Sequence, residues 1–140
     1  MLLPMLSARR RLRWCCIWRR NRWWTVLPEP NTLVVNLGDV LQVFSNDRYE
    51  APIHRAITNS GASRLSIPFF LNPSAGATYA PLESQVSALS PARYRPISWS
   101  EFRRLRTLGD YADHGAEVQI SDYRLPPPPP LEQQRSRMFD

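Results

Sequence analysis

Ala51-Pro52-Ile53-His54-Arg55-Ala56-Ile57-Thr58-Asn59-Ser60-Gly61-Ala62-Ser63-Arg64-Leu65-Ser66-Ile67-Pro68-Phe69-Phe70-Leu71-Asn72-Pro73 holds two runs of alternating polarity around one turn. Side chains along a strand alternate between faces. In the first run Ile53, Arg55 and Ile57 share one side, and His54, Ala56 and Thr58 share the other. Asn59 to Ser63 is rich in turn formers. In the second run Leu65, Ile67, Phe69 and Leu71 lie on one face, with Arg64 and Ser66 on the opposite one. Pro68 has no N–H for a ladder, so this strand is expected at an edge or to carry a bulge.

Upstream, Leu27-Pro28-Glu29-Pro30-Asn31 marks a turn, and Thr32-Leu33-Val34-Val35-Asn36 predicts a short buried strand. Leu37-Gly38-Asp39 breaks it. Val40 to Phe44 fits either a strand or a helical turn, and Ser45 to Arg48 is a polar turn. Downstream, Ser98-Trp99-Ser100-Glu101 has capping-box spacing. Trp99, Phe102, Leu105 and Leu108 follow at helical spacing, and Gly115 is a natural stop, so a helix is predicted over about 99–114. Glu117 to Tyr123 alternates and suggests a short terminal strand. Pro126 to Pro130 is an extended polyproline spacer that opens a tail over 126–140.

Arg64 and Ser66, two apart on one strand face, form a pair suited to a carboxylate. A planar guanidinium grips both oxygens, and a neighbouring hydroxyl adds a third hydrogen bond. Three further blocks surround them: Asn36-Leu37-Gly38-Asp39-Val40-Leu41-Gln42, Ser45-Asn46-Asp47-Arg48-Tyr49, and the His54 strand. In order and spacing these blocks resemble the C-terminal half of the isopenicillin N synthase-like branch of the iron(II)/2-oxoglutarate-dependent dioxygenases. The likeness extends over about residues 22–125.

The resemblance implies a mainly β fold: part of a double-stranded β-helix, or jelly roll, with the helix at 99–114 on its C-terminal side. It implies an oxidoreductase that uses Fe(II), O2 and 2-oxoglutarate to oxidise a small organic molecule. By position, His54 corresponds to the C-terminal histidine of the metal site, and Arg64 and Ser66 to the clamp on the distal carboxylate of 2-oxoglutarate. A neutral imidazole suits iron. Asp39 falls in the family's Gly-Asp turn and is read as structural, and His114 as a residue near a helix end.

The family's other two ligands come as His-x-Asp, upstream of the matched region. His54 and His114 are the only histidines, and neither has an acid two residues later. One histidine does not make an iron site, so the chain alone is expected to be inactive. Half a barrel also leaves strand edges and apolar faces open. A truncated or misread coding region is the expectation. The alternative is a non-catalytic binding protein acting through its basic arm or its proline-rich tail.

Charge sets that arm apart. Residues 1–24 hold seven arginines and no acid, while the remaining 116 hold eleven arginines against twelve acids. The net charge of +6 therefore belongs to one short stretch, here delimited as an Arg/Trp/Cys arm over 1–20 before a domain over 21–125. A basic nucleic-acid-binding core is not supported. No stretch reaches the roughly 20 apolar residues of a membrane helix. Cys15 and Cys16 are adjacent, which suits free thiols in a reducing, cytoplasmic setting. An arginine-rich, acid-free start makes a mitochondrial presequence the alternative. The substrate and the oligomeric state are not legible.

Overall fold

A computed structural model describes residues 3–7, 15–27, 29, 31–58, 66–112 and 118–127. The chain divides into two units, Met1–Gln42 with Asp47–Ser74, and Val43–Asn46 with Ala75–Asp140. All strand pairs are antiparallel.

The first unit holds two three-stranded sheets. In one, β1 (Leu3–Ser7) lies between β4 (Leu33–Asn36) and β6 (Ser66–Pro68). In the other, β2 (Cys15–Arg19) lies between β3 (Arg22–Val26) and β5 (His54–Ala56). Residues 1–20, set apart by charge, thus supply the middle strand of each sheet. A composition break marks where charge changes, whereas strand pairing is decided by backbone donors and acceptors that charge does not touch.

The β2–β3 hairpin turns through Arg20 and Asn21, whose φ values are 50° and 61°. Two left-handed residues make the tight hairpin turn whose twist matches the flanking strands. Trp18 and Trp23 face each other across it, edge to face at 5.2 Å. The Arg22 guanidinium lies 3.8 Å from the Trp24 ring centre, and that of Arg55 lies 4.1 Å from Trp23. Cys15 and Cys16 are both buried, so both faces of β2 are covered at that point. Neither is in a disulfide, and Cys16 Sγ is 3.7 Å from Thr25 Oγ1.

The predicted strands form around shorter cores. The run over 53–58 yields β5 from His54 to Ala56, and of the run over 64–72 only Ser66–Pro68 is a strand among the described residues. Pro68 stands on an outer strand, where its missing N–H costs the ladder least. Val40 to Phe44 resolves as helix: α1 runs Asp39–Phe44 and opens with Leu41 and Gln42 N–H groups donating to the Gly38 carbonyl. On β4, Leu33 and Val35 are each 54% exposed while Val34 and Asn36 are covered. Leu33 and Ile67 stand in register on either side of Leu6, and Leu33, Val35 and Ile67 are open to solvent.

The second unit is built on aromatic packing. Strands β7 (Thr78–Tyr79) and β8 (Ile97–Ser98) pair, and β8 runs directly into α2 (Trp99–Ala112). Ser98 Oγ accepts the Glu101 N–H at 3.5 Å, the N-terminal cap that the sequence predicts. The predicted end of this helix, with His114 and Gly115, lies outside the described residues, as does the tail beyond Pro127. Phe44, Tyr79, Trp99, Phe102 and Tyr123 form a continuous chain of ring contacts with centres 5.8–6.3 Å apart. Tyr94, Ile97, Phe102 and Val43 are fully buried.

The alternation over 117–123 does not produce a strand among the described residues, which begin there at 118. Ile120–Tyr123 is a 3-10 helix, capped reciprocally by the side chains of Gln119 and Asp122. The Gln119 N–H donates to Asp122 Oδ2 at 2.9 Å, so the backbone is satisfied locally rather than by a ladder.

Asn46 organises the loops of this unit. Its φ is 52°, a left-handed conformation that asparagine tolerates better than most residues. Its amide donates to the Pro91 carbonyl at 3.0 Å, and at 3.4 Å to the Gln85 carbonyl and Ser90 Oγ. Its Oδ1 accepts the Arg93 N–H at 2.9 Å. Asn46→Ala strands buried backbone groups worth about 1–3 kcal/mol apiece when unpaired. The expected loss is about 2–4 kcal/mol, measured as a lower urea midpoint at unchanged slope.

Candidate functional site

β5 and β6 place the two described site residues in different sheets. On β5, His54 stands opposite Ile17, which in turn stands opposite Trp24. The three therefore share one face of their sheet. On β6, Ser66 shares by register the sheet face of Val34 and Asn36, the covered face of β4. Ser66 is partly buried and His54 is exposed. Arg64, the predicted partner of Ser66, lies outside the described residues.

His54 Nδ1 lies 3.2 Å from the Pro52 carbonyl oxygen. A carbonyl only accepts, so Nδ1 is the donor in this contact, which in a neutral imidazole leaves the lone pair on Nε2. The group that orients the imidazole is backbone, two residues upstream. Asp39 sits in the first turn of α1, where a carboxylate complements the N-terminal end of a helix.

Gln42 was not singled out by sequence reasoning. It is buried, donates through Nε2 to Asp47 Oδ1 at 3.0 Å, and accepts the Ala51 N–H on Oε1 at 2.7 Å. It thereby holds both ends of the 47–51 loop that delivers the chain to His54. The available signal was a glutamine at a helical position between Leu41 and Val43.

The first unit also holds an open cleft of about 680 Å3, walled by the hairpin, by β4 and by the 47–53 loop. Neither His54 nor Ser66 is among its walls. Asn36 is one of them. It is 5% exposed, and its Nδ2 has no hydrogen-bond partner among the described residues. A buried, unpaired donor costs about 1–3 kcal/mol.

Three donors of suitable type are the least that a protein normally offers a catalytic metal. Among the described residues no group of three or more His, Cys, Asp and Glu side chains could hold one. His54 supplies one nitrogen, so the described donor set does not fit a complete iron centre.

Residues 14–73 match the family model described as the 2OG-Fe(II) oxygenase superfamily. Jasmonate-induced oxygenase 4 of Arabidopsis thaliana is 44% identical over 87 residues, which is 62% of this chain and 25% of that protein. Gibberellin 20 oxidase 1 of Oryza sativa subsp. japonica is 33% identical over 119 residues, 76% of this chain and 32% of that protein. The chain thus spans about a quarter to a third of the length of the curated relatives it matches.

Among solved structures, JOX2 in complex with 2OG, Fe and JA superposes with a TM-score of 0.72 at 28% identity. That match covers 89% of this chain and 36% of JOX2. The rice dioxygenase for auxin oxidation gives 0.74 at 25% identity, covering 89% and 42%. The paired antiparallel sheets of the first unit are accordingly part of a double-stranded β-helix, as the sequence implied.

Proposed function

We propose, from the match of residues 14–73 to the 2OG-Fe(II) oxygenase superfamily model, that the chain is the C-terminal portion of an iron(II)/2-oxoglutarate-dependent dioxygenase acting on a small organic molecule. When bound, the metal and its cosubstrate supply the oxidising chemistry. His54 is the residue of this chain that would hold the metal, through Nε2. Arg64 and Ser66 would hold the distal carboxylate of 2-oxoglutarate. The observation that carries the proposal is His54 itself, an exposed imidazole on an outer strand with its tautomer set by the Pro52 carbonyl. Backbone acceptors of this kind orient metal-bound histidines.

One imidazole and a carboxylate clamp bind and orient but do not complete an iron centre, and no chemical step is assigned to this chain alone. On this proposal the remaining donors, His-x-Asp, come from a segment upstream of the matched region. Supplied with iron(II), 2-oxoglutarate and O2, the chain is expected to release no succinate above a protein-free control. Succinate release that disappears in His54→Ala would show instead that the chain assembles its own centre.

A second reading, a binding protein, is favoured by the hairpin. Arg19, Arg20 and Arg22 are exposed beside Trp18 and Trp24, and residues 1–24 contain no acid. Deleting residues 1–22 is not a usable test, because β1 and β2 are the middle strands of both sheets. The triple substitution R19Q/R20Q/R22Q leaves them in place. On this reading it abolishes a salt-sensitive binding to single-stranded nucleic acid that the parent chain shows in a filter assay. No binding by the parent chain removes the reading.

A further inference from the structure

We propose that the cleft walled by Asn36 is a second ligand site, which takes a small, uncharged, largely apolar molecule presenting a carbonyl oxygen to the Asn36 amide. The inference goes beyond the dioxygenase proposal and uses none of its residues.

Asn36 stands apart from the other buried side-chain amides. Gln42 is bonded at both ends of its amide, and Asn46 makes contacts through both Nδ2 and Oδ1. Of these three amides, that of Asn36 is the one whose Nδ2 is buried with no partner among the described residues. Native proteins rarely leave such a donor unused, and the exceptions call for an explanation. The same residue is a wall of the cleft. Its terminal torsion is broad, so the amide can turn without moving β4.

The cleft has the dimensions and lining of a small-molecule site. Its volume of about 680 Å3 falls within the usual range for such sites. Ile17, Val26, Val34, Leu37 and Ile53 give it apolar walls. Its charged wall residues are two of each sign, Arg19 and Arg48 against Asp47 and Glu50. Balanced charge gives no preference for an ion, so the orphaned donor decides the chemistry. A donor without a partner selects an acceptor, and a ligand lacking one leaves the cost in place.

The test is a titration of the full-length, 15N-labelled chain, free of metal, with cyclohexanone and with cyclohexylammonium. Both rings are apolar, but only the first carries an acceptor. The side-chain amide of Asn36, identified in the parent chain by its nuclear Overhauser contacts to the assigned Asn36 backbone, is expected to shift saturably with cyclohexanone and to stay in place with cyclohexylammonium. Asn36→Leu is expected to bind cyclohexanone at least tenfold more weakly. The parent-chain titration reads the amide directly, so the test stands even where the variant fails to fold. An Asn36 amide unmoved by cyclohexanone overturns the proposal, as does equal binding of both probes or undiminished binding by a folded Asn36→Leu. The assay contains no iron or 2-oxoglutarate, so its failure leaves the dioxygenase proposal standing, and the converse holds.

Discussion

His54→Ala is expected to lower 2-oxoglutarate turnover by about 100-fold or more in the complete enzyme, since even partners that merely orient a metal ligand are worth about 10–100-fold. The same substitution is expected to leave the stability of the chain within about 0.5 kcal/mol. The separation follows from the surroundings of the side chain. His54 is exposed, sits on an outer strand, and makes a local hydrogen bond to the Pro52 carbonyl. Nothing in the core leans on the imidazole, so its removal opens no cavity and strands no buried donor. A paired experiment distinguishes the roles: succinate release for function, and urea denaturation for the fold. Normal turnover in His54→Ala would remove this residue from the metal site. A large loss of stability would make it a structural histidine.

Phe102→Ala is expected to cost the second unit about 3–5 kcal/mol, the usual range for deleting a buried phenyl ring. Phe102 is 2% exposed and lies in the middle of the aromatic chain, 6.0 Å from Trp99 and 5.8 Å from Tyr123. Its removal takes away a ring contact on each side and leaves a cavity between α2 and the 3-10 turn that holds Tyr123. Marginal domains carry a total stability of about 5–15 kcal/mol, so a loss of this size is a large share. Arg104, exposed on the same helix, is the control, and Arg104→Ala is expected to change stability by no more than about 0.5 kcal/mol. Urea denaturation of the two variants beside the parent chain reads both effects. A cost below about 1 kcal/mol for Phe102→Ala would mean that the aromatic chain does not form the core of this unit.

Much of this architecture is written in local pattern. Thr32 to Asn36, the His54 run and the Ser66 run each nucleate a strand where alternation or β-branching predicts one, and Ser98 caps the helix that Trp99 begins. Pro68 lies on an outer strand, one of the two places, edge or bulge, that its missing N–H favours. The blocks around His54 and Ser66 also carried the family likeness, since spacing between motifs survives where single residues would be common by chance.

What escaped notice depends on contacts far apart in sequence. Leu3 to Ser7 and Cys15 to Arg19 are central strands only because β4, β6, β3 and β5 come to lie beside them, and a run of arginines gives no sign of that. Residues 117–123 alternate like a strand, yet the Gln119 and Asp122 side chains satisfy the backbone first and close a 3-10 turn. Gln42 and Asn46 owe their importance to loops five and about forty-five residues away in sequence, and no local pattern reports such distances. Asn36 looked like one more polar strand end until its burial and its unpaired amide were seen together.

The central claim is that this chain supplies one histidine and one carboxylate clamp to a larger dioxygenase. Sequencing the 5′ end of its transcript tests that claim most directly. The account predicts an in-frame segment upstream of Met1, on the order of one domain in length, that contains His-x-Asp. A message whose coding region opens at Met1 would contradict it.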